Sequence, residues 1–198
     1  MANEIPPPRP KRRRALSVLA FVVLGALVGF GIFASLRTDT PSPLPDLTPP
    51  ALDNTIPLLD GERAAPFSVN LFSGEQFDLE RHLASESRPV FLNLWASWCL
   101  PCRKEMPAID ASARNHPGVM FLGVAVQDDP IAAQAFAEEI GVTYALAFDE
   151  GDIVDARYPS FGLPVSFIIS EDGFILEQIF GEVTEDEITA KLATWFGG

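Results

Sequence analysis

The chain has 198 residues, of which 47% are hydrophobic and 21% are charged, and its formal net charge is −13 at pH 7. This content of apolar residues is sufficient for a packed core, and it excludes a wholly disordered chain. The negative charge argues against a nucleic-acid partner, because phosphate contacts need a basic surface. Two cysteines are too few for a disulfide-stapled scaffold or for a four-thiolate zinc site.

The N-terminus has the pattern of a membrane anchor. A basic cluster at residues 9–14 precedes residues 15–36, which contain no charged side chain, and Arg37 ends the run. A helix of this length spans roughly 33 Å at about 1.5 Å per residue, which is enough to cross a bilayer core. We expect residues 1–14 to stay in the cytoplasm and residues 15–36 to form one transmembrane signal-anchor helix. A cleaved signal peptide is the alternative, and both place the body of the protein on the extracytoplasmic face of the cytoplasmic membrane.

Residues 37–57 are predicted to be a linker, because they contain six prolines. Proline fixes φ and removes a backbone donor, so this segment is expected to be a semi-rigid, partly extended spacer. The remaining residues, 58–198, form the predicted folded domain. They contain eight lysines and arginines against 23 aspartates and glutamates, which leaves this domain with a net charge of −15.

Strands and helices alternate along the predicted domain. Five apolar runs predict strands, at residues 89–95, 119–126, 144–148, 165–170 and 174–180. The sequence Glu-Asp-Gly between the last two is typical of a hairpin turn. Helical patterns lie at residues 100–114, 131–140 and 184–196, with a short helix before the fourth strand and a capping box of Thr184 and Glu187 at the last helix. This order predicts an α/β fold with a mixed central sheet and helices on both faces.

The tetrapeptide Cys99-Leu100-Pro101-Cys102 lies between the first of these strands and the helix that follows it. A helix N-terminus presents free N–H groups and a partial positive charge, so a thiolate there is stabilised and the pKa of the Cys99 thiol is expected to be low. Cys99 is therefore the predicted nucleophile toward disulfides. Cys102 lies one turn further along the helix, and it is expected to attack the mixed disulfide and release the partner.

Two other interpretations of the cysteine pair were weighed. A purely structural disulfide would close a loop of only four residues, which gives about 2 kcal/mol in the chain-entropy model. A zinc site would need two more ligands, and neither His82 nor His116 has zinc-finger spacing to the pair. Both histidines are predicted to be surface or loop residues. The acidic cluster at residues 149–155 is interpreted as a solvated face, with attraction of a basic partner as the alternative.

The run NLWASWCLPCRKEMP at residues 93–107 resembles the thioredoxin-like proteins of the TlpA/ResA/DsbE (CcmG) group. These are membrane-tethered thiol–disulfide oxidoreductases outside the cytoplasm, many of which serve cytochrome c maturation. The resemblance extends over roughly residues 62–196, and it includes Ala-Pro-Phe at 65–67 and Gly-Leu-Pro at 162–164. It implies a thioredoxin-like fold that needs no metal and no cofactor other than its redox-active Cys99–Cys102 disulfide.

The resemblance also implies roles for further residues. Pro164 matches the cis-proline that packs beside the two cysteines in this group, with an ordinary trans proline as the alternative. Glu105 matches an acidic residue near the pair that would exchange a proton with Cys102, with a solvent-facing glutamate as the alternative. Asn93 stands where thioredoxin has a buried aspartate, which transfers the proton-handling hypothesis to Glu105. The predicted client-contact residues complete the set: Trp98, Leu100, Pro101 and Leu163.

The function predicted from these features is reduction of disulfides in exported proteins, among them apocytochrome c. The resemblance implies that a membrane thiol-transfer protein supplies the electrons. The cysteine motif alone does not give the direction of electron flow, because the same motif oxidises or reduces according to its potential. The alternatives are a general extracytoplasmic thiol reductase or oxidase, a thiol peroxidase and a metallochaperone-type binding module. The chain lacks the PxxxTxxC context of the peroxidase, and it has no late histidine for the chaperone.

Overall fold

The computed structural model describes residues 59–197. The predicted cytoplasmic segment 1–14, the transmembrane helix 15–36 and the linker 37–57 lie outside the described residues. Within residues 59–197, no helix is both long enough and apolar enough to cross a membrane.

One mixed sheet forms the centre of the described domain, with the strand order β2-β1-β5-β4-β3-β6-β7. Its strands are β1 Ser68–Leu71, β2 Gln76–Asp78, β3 Val90–Trp95, β4 Met120–Ala125, β5 Ala145–Phe148, β6 Val165–Ile169 and β7 Ile175–Phe180. Strand β3 pairs in parallel with β4 and antiparallel with β6, and β4 pairs in parallel with β5. All five predicted strands are confirmed, each one or two residues shorter than the apolar run that indicated it.

Five helices accompany this sheet within residues 59–197. They are α1 Leu79–Glu86, α2 Leu100–Asn115, α3 Pro130–Ile140, α4 Ile153–Arg157 and α5 Glu185–Phe196. Helix α3 ends at Gly141 in a left-handed conformation, which glycine adopts without steric cost. The predicted capping box is confirmed, because the Thr184 side chain accepts from the Glu187 N–H while the Glu187 side chain accepts from the Thr184 N–H.

The sheet separates two hydrophobic cores, because successive residues of a strand point to opposite faces. We call the side covered by α2, α3 and α5 the disulfide face, since its core includes the two cysteines. The side covered by α1 and α4 is called the opposite face, and its core includes the aliphatic residues Val90, Leu92 and Leu94 of β3. The prediction of helices on both faces is confirmed.

The two β-strands and the helix at the start of the domain were not predicted. Strand β1 has four residues and strand β2 has three, and most of these residues are exposed or only partly buried. Strand β1 pairs with β5, as between Leu71 and Ala147, and β2 in turn pairs with β1. A short polar segment carries little of this information, because the pairing partner lies far along the chain.

Two predictions about polar residues are wrong. His82 is not a surface residue: it lies in α1 with 6% of its area exposed, its ring packs against that of Phe77, and its Nε2 lies 3.2 Å from the carbonyl oxygen of Arg88. Asp149 is not part of a solvated face, because it is buried and its carboxylate accepts the backbone N–H groups of Val154 and Asp155 at the start of α4. Each of the two buried groups has backbone partners, which are the Arg88 carbonyl for His82 and the first N–H groups of α4 for Asp149.

Candidate active site

The disulfide Cys99–Cys102 lies at the N-terminus of α2, with the two Cα atoms 5.3 Å apart. Cys99 is the N-cap residue of this helix, and its sulfur accepts the backbone N–H of Cys102 at 3.2 Å. Only 4% of Cys99 is exposed, and Cys102 is fully buried. The structure therefore brings the pair together as predicted, with Cys99 nearer to solvent and Cys102 behind it.

Glu105 lies three residues beyond Cys102 in α2 and is 1% exposed, so the solvent-facing alternative is wrong. Its carboxylate accepts two hydrogen bonds, from Asn93 Nδ2 to Oε1 at 2.8 Å and from the Val183 N–H to Oε2 at 3.1 Å. Burial raises the pKa of Glu105 to about 7; the charge of Glu182 adds to this rise, whereas the two hydrogen bonds oppose it. A carboxyl in this state is able to gain and lose a proton near neutral pH.

Asn93 connects this carboxyl to the sheet. It lies in β3 directly opposite Ser166 of β6, and its Nδ2 donates to Ser166 Oγ at 3.1 Å as well as to Glu105. All three side chains are buried. The sequence alone did not mark Ser166 as a site residue, although a serine within the apolar run VSFII was a visible signal. What it could not provide was the strand register that places Ser166 beside Asn93.

Pro164 immediately precedes β6, and the Leu163–Pro164 peptide bond is cis, as the resemblance implies. Pairing of Leu94 with Val165 places this bond at the same end of the sheet as the segment that leads from β3 to Cys99. Leu163 is partly buried and packs against both cores, including the cluster that contains the two cysteines. The predicted proline loop and the cysteine loop thus lie at one edge of the sheet.

Exposed apolar side chains surround this edge. Trp98 is 61% exposed, and Leu100 and Pro101 are also exposed between the buried cysteines. Phe161 lies just before the proline loop and is exposed as well. Trp98, Leu100 and Pro101 flank the cysteines along the chain, and these three are predicted client-contact residues.

The loop after β4 holds the residues that precede Cys99. The indole Nε1 of Trp98 donates to the carbonyl oxygen of Gln127 at 3.0 Å. The Asp128 carboxylate accepts from both the backbone N–H and the hydroxyl of Ser97, the latter at 2.8 Å. Gln127 and Asp128 carried no recognisable signal in the sequence. The parallel pairing of Trp95 with Ala125 brings the ends of β3 and β4 together and so places this loop beside the site.

The metal-binding alternative gains no support from the described part of the chain. Among residues 59–197, no group of three histidine, cysteine, aspartate or glutamate side chains is arranged to hold a metal ion. The arrangement at the end of β3 supports a different chemistry, namely exchange between a two-cysteine disulfide and an external thiol or disulfide, with a buried carboxyl available for proton transfer.

Comparison with known proteins agrees with this chemistry. A model of the AhpC/TSA family matches residues 61–178, which is more than half of the chain. The chain belongs to the AhpC/TSA family. Within it, the chain is 31% identical over 186 residues to the thiol:disulfide interchange protein HelX of Rhodobacter capsulatus, with 93% of this chain and 97% of HelX covered. It is 28% identical over 184 residues to the thiol-disulfide oxidoreductase ResA of Bacillus thuringiensis, with 92% and 96% covered.

Solved structures agree with the fold. A secreted disulfide oxidoreductase of Mycobacterium tuberculosis, homologous to E. coli DsbE, is 25% identical with a TM-score of 0.56, covering 65% of this chain and 95% of that one. A thioredoxin-family thiol:disulfide interchange protein of Chlorobium tepidum has a TM-score of 0.58 at 22% identity, covering 67% and 94%. The resemblance to the TlpA/ResA/DsbE group is confirmed. This member of the family is a thiol–disulfide oxidoreductase of the ResA/DsbE type, with its CxxC pair at disulfide distance.

Proposed function

We propose that this oxidoreductase is tethered by residues 15–36 to the cytoplasmic membrane, acts on its extracytoplasmic face and reduces disulfides in exported proteins, with apocytochrome c as a client. The observation that supports the reductive direction is the buried Glu105 carboxyl, one turn beyond Cys102. Strong disulfide oxidants owe their potential to a stabilised reduced form. A carboxylate beside Cys102 opposes a thiolate there, and so disfavours the reduced form.

The proposed reaction has two exchange steps. The Cys99 thiolate attacks one sulfur of the client disulfide, a bond forms between the two sulfurs, and the second client sulfur leaves as a thiolate that takes a proton from water. Cys102 then transfers its proton to Glu105 and attacks Cys99, which releases the first client sulfur as a thiolate. The client has gained two electrons, and the protein has lost two in forming its Cys99–Cys102 disulfide.

The apolar surface around the disulfide is the proposed client-contact site. Its members are Trp98, Leu100, Pro101 and Leu163. A partner that approaches Cys99 has to cross these side chains, because Cys99 itself is almost covered. Each turnover leaves the protein oxidised, so the proposal also requires a donor that restores the dithiol, for which we propose a membrane thiol-transfer protein.

The reduction potential of the full-length protein in detergent, measured by equilibration with thiol buffers, tests the direction. We expect a value near or below about −250 mV, which is close to that of thioredoxin. A value near about −120 mV, typical of a strong oxidant, would contradict the reductive function.

Membrane topology is tested separately. In intact cells under reducing conditions, a membrane-impermeant thiol reagent should label the cysteine pair. The variant with both cysteines changed to serine is the control for background labelling. Labelling that occurs only after cell lysis would place the domain in the cytoplasm and refute the proposed location.

Client identity is tested with Cys102→Ser, which lacks the resolving thiol and should retain clients as mixed disulfides through Cys99. We expect the oxidised haem-attachment segment of an apocytochrome c to be trapped by this variant. The matched Cys99→Ser variant should trap no client. Trapping by Cys99→Ser instead would reverse the assignment of nucleophile and resolving thiol.

A further inference from the structure

The side-chain amide of Asn93 has one feature that the fold alone does not explain. Asn93 is fully buried, and its Nδ2 donates to both Glu105 and Ser166, yet its Oδ1 is buried without a hydrogen-bond partner in the described structure. An unpaired buried acceptor costs about 1–3 kcal/mol. Most buried polar groups are paired, so an exception at the centre of a sheet points to a function for the donor side of the amide.

The orientation of this amide suits the ionised form of Glu105. An ionised carboxylate accepts hydrogen bonds and donates none, so the amide nitrogen, not the oxygen, has to face it. If the amide were reversed, its oxygen would face the carboxylate oxygen, and both N–H groups would lose their partners. The structure therefore leaves the Asn93 carbonyl unpaired and provides a donor to Glu105.

The other groups that act on Glu105 do not replace this donor. Glu182, in the loop before α5, opposes ionisation of Glu105 by like charge. Tyr144, just before β5, has a buried hydroxyl, and the pKa of this hydroxyl is raised by burial and by the negative charges of Glu105 and Asp110. Cys102 on α2 contributes a second negative charge when it is ionised. The stabilising contacts of the carboxylate are the Val183 N–H and the Asn93 amide.

We propose that Asn93 is a positioning residue for the proton transfer between Cys102 and Glu105. Its amide fixes the carboxyl against β3 and keeps it sufficiently ionised near neutral pH to accept the Cys102 proton. In that step the S–H bond of Cys102 breaks and an O–H bond forms on Glu105. The inference rests on the proton-exchanging role of Glu105 given under Proposed function. Ser166 accepts the second N–H of the amide, and the Asn93–Glu105 hydrogen bond is a separate contact.

The test uses the full-length reduced protein in detergent and a chromogenic aromatic disulfide. Attack by Cys99 releases the first coloured thiolate, and attack by Cys102 on the mixed disulfide releases the second. The rate of the second release, followed by stopped flow from pH 5 to 9, reports the step that needs Glu105. In Asn93→Ala we expect this step to be about fivefold slower at pH 7 and the midpoint of its pH profile to rise by about one pH unit, because a hydrogen bond that favours the ionised form is lost.

Ser166→Ala is the matched control. It removes a buried polar group from the same network but leaves the Asn93–Glu105 hydrogen bond intact. We expect its pH midpoint to stay within about 0.3 pH units of the unaltered protein, because a shift of that size corresponds to only a twofold change in the ionisation equilibrium. An equal shift in Asn93→Ala and Ser166→Ala would overturn the inference, because it would indicate a general packing effect.

The Glu105→Gln background separates this inference from the function on which it rests. If Asn93 acts through Glu105, Asn93→Ala should not move the pH profile further when Glu105 is already glutamine. A full additional shift in the double variant would refute the role of Asn93 and leave that of Glu105 standing. A pH profile that Glu105→Gln alone does not change would refute the proton-exchanging role of Glu105 itself.

A second variant keeps the proposal testable if Asn93→Ala does not fold. Asn93→Asp has the same shape but places a second carboxyl beside Glu105, and two such groups titrate as a coupled pair. Carbon-13 NMR of the oxidised protein should then show two titration steps for the pair where the unaltered protein shows one, near the pKa of Glu105 of about 7. An unchanged Glu105 titration in Asn93→Asp would contradict the proposed contact.

Discussion

The side chains of strand β3 differ between the two faces of the sheet. Three aliphatic side chains lie on the opposite face, whereas Asn93 lies on the disulfide face between Phe91 and Trp95 in the sequence. Strand β6 repeats this difference, since its Ser166 lies on the disulfide face while its neighbours Val165 and Phe167 pack on the other. On the opposite face, His82 and Gln178 are buried and each contacts a backbone atom, although the amide nitrogen of Gln178 has no partner in the described structure. The same strands thus contribute apolar side chains to one core and polar side chains to the other.

The disulfide face also contains buried polar atoms without a partner in the described structure. Besides Asn93 Oδ1, these include the indole nitrogen of Trp95 and the hydroxyl of Tyr144. Such groups lower stability relative to an apolar core. Along the central strand β3 the opposite core is therefore purely aliphatic and stabilises the fold, while the disulfide core accepts destabilising polar groups near Glu105. Variants on the two faces should therefore change different observables.

The largest expected effect is the loss of exchange in Cys99→Ser. Without the nucleophilic thiolate the protein has no group to form the mixed disulfide, so its rate of reducing a model disulfide should fall to the uncatalysed level. The insulin-reduction assay measures this rate, and Cys102→Ser, which still forms the mixed disulfide, is the comparison. Residual turnover in Cys99→Ser would show that the disulfide face acts through another group.

Leu92→Ala probes the opposite face. Leu92 is fully buried in β3, so its truncation should lower the free energy of unfolding by about 2–5 kcal/mol. Urea unfolding of the oxidised protein measures this loss. The reduction potential should stay within about 30 mV of the unaltered value, which corresponds to 1.4 kcal/mol for the two-electron couple. A larger change in potential would show that the two faces are not independent.

Glu105→Gln probes the disulfide face through pH. The folded state raises the pKa of Glu105 from 4.5 to about 7 by burial, so the native state binds this proton more tightly than the unfolded state does. The stability due to this group is complete below about pH 4.5 and is lost as the pH rises through about 7, with a total change of at most about 3 kcal/mol. Glutamine does not titrate, so the variant should lack this decline.

Urea unfolding of the oxidised proteins from pH 4 to 8 measures that difference, because the contributions of other groups cancel between variant and parent. Glu182→Gln is the matched control, since Glu182 is exposed and the buried carboxyl stays in place. The control should keep most of the decline. If the stability of Glu105→Gln changed with pH in the same way as that of the unaltered protein, the raised pKa of Glu105 would be refuted.

Asp128→Asn has the smallest expected effect. It weakens the acceptor of the Ser97 N–H and hydroxyl, which should lower stability by about 1 kcal/mol and loosen the loop that holds Trp98. Tryptophan fluorescence and urea unfolding check both effects. The control is Asp152→Asn, because Asp152 is exposed and makes no capping hydrogen bond. Equal fluorescence changes in the two variants would contradict a specific role for Asp128.

Much of the fold could be predicted because periodicity is local information. The apolar runs predicted strands β3 to β7. Helical periodicity and capping signals, such as Thr184 with Glu187, predicted the helices between and after these strands. Strands β1 and β2 and helix α1 were not predicted, since β1 depends on pairing with β5, β2 depends on pairing with β1, and α1 packs against the opposite core. His82 was misjudged for the same reason: its burial depends on a helix that was not predicted.

At the active site, consecutive residues are enough to predict the chemistry, because that chemistry is encoded within one turn of helix. The spacing of Cys99 and Cys102 and the position of Glu105 three residues later are properties of consecutive residues, because a helix places residues three and four apart on one face. The residues that surround this cysteine pair and carboxyl depend on the tertiary structure. Asn93, Ser166 and Asp128 come from three separate segments, and they meet at α2 because strand register and parallel pairing bring those segments together. The physical reason is that hydrogen bonds and burial depend on distance in space, and that distance follows from the packing of the whole sheet.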